Sequence, residues 1–269
     1  MRIQKWGGFV LSVTSAQLDL WLSTLLYPMV RLLAMISSAP ILGNKQVPAR
    51  VKIGLSVLMA IVIAPTLAPM PAIPLGSPQS LLIMVQQIII GVSMGFTMRI
   101  VFTSVEMAGE FSGLQMGLGF ASFYNPQSAS SSTVTAQFMG IIATLAFLSM
   151  NGHLMLLALV TESFHTLPVG QMMVTKSFYT AAQWGATIFA YGLQLSMPLL
   201  AALLITNLAL GIMTRAAQQL NPFAIGFPIT LTVGFFVLSL SLPYLAPMLD
   251  RMATEGLATA LKLVKLPLP

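Results

Sequence analysis

Cysteine is absent from the 269 residues, which removes disulfide frameworks, thiolate nucleophiles and Cys-based zinc or iron–sulfur sites together. Charge is nearly as scarce. Only 7 % of residues are Asp, Glu, Lys or Arg, against roughly a quarter in an ordinary soluble domain, so a water-soluble fold is excluded. Six acids and two histidines are too few to complete a multi-ligand metal centre. The 12 basic residues that give a net charge of +6 are scattered, with no run dense enough to track a phosphate backbone. Nucleic acid is therefore not an expected partner. No glycine-rich phosphate loop with its Lys and Ser or Thr occurs, so no nucleotide site is expected.

What remains is apolar: 57 % of the chain. Six strong runs are separated by Pro, Gly, Ser and charge clusters, namely Leu18 to Leu42, Ile53 to Leu67, Leu81 to Phe102, Val134 to Met150, Phe178 to Leu210 and Phe223 to Leu249. A weaker seventh runs from His153 to Val160. Since about 20 apolar residues cross the hydrocarbon of a bilayer, the expected fold is an all-α, multi-helix integral membrane protein. Pro65, Pro69, Pro71, Pro74 and Pro78 should make the second connector stiff and extended. Arg2 and Lys5 before Trp6 to Val13 mimic a signal peptide. The run is short and Gln17 to Leu42 continues it, so no cleavage is expected.

Orientation resists a simple count. Lys45, Arg50 and Lys52 crowd the first connector, and Arg251, Lys262 and Lys265 mark the C-terminal tail. The positive-inside rule wants both clusters on one side, yet five strong runs lie between them. One run does not cross, the weak run does, or charge bias does not decide; kinked and non-spanning helices are expected.

Arg99, Glu106 and Glu110 fall within about 40° of one another on one helical face. A charge at the bilayer centre costs about 2.5–3.5 kcal/mol even on lenient scales, so this stripe should face protein or water. Two readings stand, an internal ion-pair network and anchorage of neighbouring subunits. Beyond it, Phe111 to Ser122 contains Gly113, Gly117 and Gly119 among Met116 and Phe120, followed by Phe123 and a Ser-rich stretch to Thr133. Close helix packing through Gly113 and Gly117 and a pliable apolar loop both fit.

Gly91-Val-Ser-Met-Gly95 has the G-x-S-x-G spacing of a nucleophile elbow, but that motif needs a strand before it and a His and acid nearby. Inside an apolar helix it reads as a packing face. Glu162 and His165 form one E-x-x-H where a di-iron bundle needs two and two further carboxylates. His153, after Asn151-Gly152, fits capping or a hydrogen bond at a helix boundary. No enzymatic activity and no cofactor are expected.

Several longer strings resemble one family in order along nearly the whole chain from about Val13. They are Ser38-Ser-Ala-Pro-Ile-Leu42 with Val47-Pro-Ala-Arg-Val-Lys-Ile-Gly-Leu55, then Gln86 to Met98, Glu110 to Ser122, Asn151-Gly-His153, Phe164-His-Thr-Leu-Pro168 and Leu220 to Gly234. Together they are similar to the FliR family of the flagellar type III export gate. That resemblance implies a FliP-like part over residues 1–177, including a plug loop at 111–133, fused to FliQ-like helices over 178–269. It implies assembly with FliP and FliQ, association with FlhB and FlhA, unfolded flagellar proteins in transit, and a place in the bacterial inner membrane at the flagellar basal body. By the same resemblance the plug maps onto Gly113, Gln115, Met116, Gly117, Gly119, Phe120 and Phe123, with Arg99, Glu106 and Glu110 as subunit-contact charges. Alternatives are the paralogous gate subunit of a virulence injectisome and a self-contained solute transporter; the latter predicts paired broken-helix repeats, which the sequence does not show.

Overall fold

The computed structural model describes residues 15–68, 73–119, 132–217 and 221–264. Among them the regular structure is entirely helical. The helices are α1 (Ser15–Ser38), α2 (Ala49–Ile63) with a short 3-10 turn (Ala64–Thr66), α3 (Pro78–Gln115), α4 (Val134–Ser149), α5 (Gly152–Thr166), α6 (Thr175–Gly185), α7 (Thr187–Ala216) and α8 (Pro222–Val264). Among the described residues five stretches are long and apolar enough to cross a bilayer, or six if α4 and α5, bent by 66° across a short break, count as one. The fourth strong run and the weak seventh are thus the two arms of one bent element. At the bend Asn151 is left-handed (φ 56°) and the Phe147 ring occupies the space a Cβ on Gly152 would need.

α3 organises the molecule. Ser77 caps it, its side chain accepting the Ser80 N–H at 3.2 Å, and Pro78 sits at the first helical position, where a missing N–H is harmless. From there α3 packs against α1, α4, α5, α6, α7 and α8. Along its first half it meets α1 in parallel: Tyr27 OH bonds Ser80 Oγ (3.0 Å) and Arg31 reaches Gln87. Further on, a side chain on Gly91 would overlap the Arg31 carbonyl and one on Gly95 would overlap Ser38. The G-x-S-x-G segment is therefore a close-packing face. Along its second half α3 meets the C-terminal helices: Gly192 faces Met107, Gly256 faces Val101 and Met98, and Gly234 faces Met116. Trp184 Nε1–H donates to the Thr97 carbonyl at 3.0 Å.

This stagger corrects the orientation problem. The 38 residues of α3 extend about 57 Å at 1.5 Å per residue, nearly twice the roughly 30 Å of hydrocarbon. α1 ends beside Gly95, where Ala39 N would stand 2.9 Å from an added Cβ, while α8 passes Met98 and Val101 only six residues before Lys262. The first basic cluster and Lys262 of the second thus stand at mid-height of α3, while Lys265 lies outside the described residues. Counting crossings as if all helices shared one layer fails because they do not.

Candidate functional site

Arg99, Glu106 and Glu110 lie on the side of α3 away from α1, continuing an exposed row of Val85, Ile89, Val92 and Phe96. Arg99 and Glu106 are exposed and, among the described residues, form no ion pair; the pair found there is Arg251–Glu255 at 2.8 Å. Glu106 rests against Gly140 of α4, where an added Cβ would stand 3.4 Å from Oε1. Glu110 differs. Its Oε1 accepts the Thr133 N–H at 2.8 Å, adding a carboxylate at the N-terminus of α4, where Thr133 is the cap and its side chain accepts the Ala136 N–H at 3.2 Å. The stripe is shared, but one of its three charges already has a task inside the chain.

The segment following the stripe begins later than the sequence suggested. Residues 111–115 continue α3, so the expected loop shrinks to the residues between Gln115 and Val134. Gly113 and Gln115 are in the last helical turn; Gly113 is buried, and a side chain there would overlap Thr135 Oγ1. Thr135 Oγ1–H in turn donates to the Gly109 carbonyl at 2.8 Å. Both glycines let the α4 N-terminus approach. Met116 is fully buried under Gly234, and its carbonyl accepts from Thr230 Oγ1 at 3.3 Å. Gly117 then turns left-handed at φ 85°. The Leu118 N–H returns to the Gly113 carbonyl (2.9 Å) and the Gly117 N–H to that of Leu114 (3.1 Å), a glycine-dependent helix stop that satisfies the terminal carbonyls. Gly119 is half-buried; Phe120 and Phe123 lie outside the described residues. Both ends of segment 120–131 are therefore tied to one fixed platform, the α3 C-terminus and the α4 N-terminus.

The structure also contains a polar centre that the sequence reading missed. Arg31, in the middle of the apolar α1, is 0 % exposed. Its Nε donates to Gln87 Oε1 (2.8 Å), Nη1 to the Ser163 carbonyl (2.9 Å) and Oγ (3.1 Å), and Nη2 to the Leu167 carbonyl (3.0 Å). The guanidinium carbon lies 4.2 Å from the Phe164 ring centroid. Among the described residues no carboxylate pairs with it; it caps the negative C-terminal end of α5, supplemented by the ring face. A lone arginine within a 25-residue apolar run was the available signal.

Among the described residues no group of three or more His, Asp or Glu could hold a metal ion. Glu162 and His165 are exposed. His153 does not cap: its Nδ1 is buried without a hydrogen-bond partner among the described residues, and Asn151, the residue at the cap position, makes no side-chain cap bond.

Residues 22–256 match the model of a family described as bacterial export proteins, family 1. The chain is 45 % identical over 247 residues to the flagellar biosynthetic protein FliR of Escherichia coli K12, covering 91 % of this chain and 94 % of that one. It is 42 % identical to FliR of Pectobacterium carotovorum, over 87 % of this chain and 90 % of the other. With FliR of Bacillus subtilis it shares 30 % over 78 % and 82 % respectively. An all-α membrane chain with staggered helices around one long α3, matched along most of its length in this way, belongs to bacterial export protein family 1, the family of the FliR proteins.

Proposed function

We propose that this chain is a structural and gating subunit of the flagellar type III protein-export channel, packing with FliP and FliQ and helping to close the export pore. The observation that supports it most is the platform beneath segment 120–131. The helix stop at Gly117, the buried Met116 and the Glu110–Thr133 bond hold both ends of an apolar, small-residue segment at one place, as a plug requires. The segment itself would supply the seal through Phe120, Phe123 and the flanking Gln115 and Gly119. Arg99 and Glu106, exposed beside an apolar row on α3, are contacts for neighbouring subunits. In this reading residues 1–177 form the FliP-like part and 178–269 the FliQ-like part; FlhB and FlhA associate with the gate in the bacterial inner membrane at the flagellar basal body. The subunit is not an enzyme, and unfolded flagellar proteins pass through the assembly with energy from other components.

Deleting residues 120–123, which spares the Gly117 stop, tests the plug. The expected result is a complex that still assembles but leaks protons and small molecules, read as dye and ion flux in cells with export otherwise blocked. Normal assembly with no added leak overturns the plug assignment.

A further inference from the structure

Six of the 12 basic residues of this protein stand near one height. Lys52 Nζ donates to the Gly43 carbonyl at 3.0 Å, and Gly43 folds back on Ala39 (2.9 Å), one turn beyond the α1–α3 contact at Gly95. That places the Lys52 ammonium level with Arg99. Lys45 precedes it on the connector and Arg50 lies with it in the first turn of α2. Lys176 follows Met173, whose Sδ accepts from Ser93 Oγ at 3.8 Å, and its helix reaches Thr97 through Trp184. Lys262 is six residues, about 9 Å, past the Gly256 contact with Met98 and Val101. Six basic groups from α2 and its connector, α3, α6 and α8 thus stand beside residues 93–99 of α3. Of these, Lys45, Arg50, Arg99, Lys176 and Lys262 are exposed and Lys52 is half-buried.

Exposed apolar side chains dominate on either side of this waist. Leu58, Ile61, Val85 and Ile89 lie towards the start of α3, and Ile141, Leu193, Met197 and Leu240 towards its end. Since α3 is about 57 Å long and a whole bilayer with headgroups measures about 40–45 Å, a membrane surface must cross α3 between its ends unless the helix is extremely tilted. We propose that it crosses at the waist, and that five of these side chains, Lys45, Arg50, Lys52, Lys176 and Lys262, bind the phosphates of anionic phospholipid headgroups, Arg99 being taken up by the subunit contact. Long basic side chains flanked by apolar surface favour this position, their stems lying on hydrocarbon and their heads among phosphates.

The test is native mass spectrometry and lipid analysis of the complex purified in mild detergent from the full-length chain. Compared are wild type, the combined variant Lys45→Gln, Arg50→Gln, Lys52→Gln, Lys176→Gln and Lys262→Gln, and Arg215→Gln, whose charge lies far from the waist on α7. Each basic group near an anionic surface strengthens attraction about fivefold. The combined variant should therefore retain at least about threefold less phosphatidylglycerol and cardiolipin, with phosphatidylethanolamine unchanged, while Arg215→Gln matches wild type. Unchanged anionic lipid overturns the proposal, as does an equal loss with Arg215→Gln. Loss of a protein subunit with lipid unchanged would assign the waist to an acidic partner instead, which also overturns it. Should the combined variant not accumulate, the cysteine-free chain permits single thiols at positions 52, 58, 204 and 262. A fluorophore there should be quenched most by headgroup-labelled lipid at Lys52→Cys and Lys262→Cys; equal or weaker quenching than at Leu58→Cys and Leu204→Cys overturns the assignment.

Discussion

Replacing Arg31 by Met should be among the most damaging single changes in this chain. The substitution keeps an unbranched stem in a site that is 0 % exposed but removes every donor. The Ser163 carbonyl retains the Leu167 N–H at 3.0 Å, so it is not orphaned. Gln87 Oε1 and the Leu167 carbonyl lose the bonds they receive at 2.8 and 3.0 Å. Leaving a buried acceptor unpaired costs about 1–3 kcal/mol; two such groups give about 2–5 kcal/mol once relief from burying the guanidinium is set against the loss. For a chain of this size that corresponds to a fall of about 5–15 °C in Tm. Thermal unfolding of the detergent-purified protein, followed by circular dichroism, reads it directly. Arg31→Lys should lie between, because a compact ammonium cannot reach Gln87 and Leu167 with the same fork. Adding Gln87→Leu to Arg31→Met should recover part of the loss, since removing both partners of a buried bond is far cheaper than removing one. A Tm for Arg31→Met within about 1 °C of wild type would refute the reasoning.

Two further pairs of changes separate packing from assembly. Gly95→Leu should break the α1–α3 contact, since even a Cβ overlaps Ser38 and comes within 2.8 Å of the Met35 carbonyl, whereas Gly54→Leu, with nothing within 4 Å, should be silent; protease resistance of the purified chain checks both. Glu110→Gln should lower stability by about 0.5–2 kcal/mol through weakened α4 capping, seen as a lower Tm. Glu106→Gln should leave Tm unchanged and reduce the yield of co-purified subunits.

Helix periodicity and punctuation were enough to mark where most helices lie, and the Gly91/Gly95 spacing was enough to identify a packing face. Other features needed partners far along the chain. Gly113 reads as a helix breaker in isolation, and only the approach of Thr135 explains why α3 runs through it to Gln115. Glu110 looked equivalent to Glu106 because the N–H that claims it belongs to Thr133, 23 residues away. The mid-height position of the first basic cluster and of Lys262 was invisible because apolar runs report length, not the height at which each helix stands against its neighbour. Arg31 was overlooked within its run for the same reason, its partners being distant in sequence.

That distance has a consequence for how the protein is made. The carbonyls that satisfy Arg31 belong to residues 132 and 136 positions later. At about 5–20 residues per second, the second of them emerges roughly 7–27 s after Arg31 itself. Gln87 comes sooner, 56 positions on, but supplies only one acceptor. An unsatisfied guanidinium at the bilayer centre costs about 2.5–3.5 kcal/mol, so for that interval α1 is held where water can reach Arg31. Its final seating waits for α3 and α5, so α1, though synthesised before them, is among the last to settle.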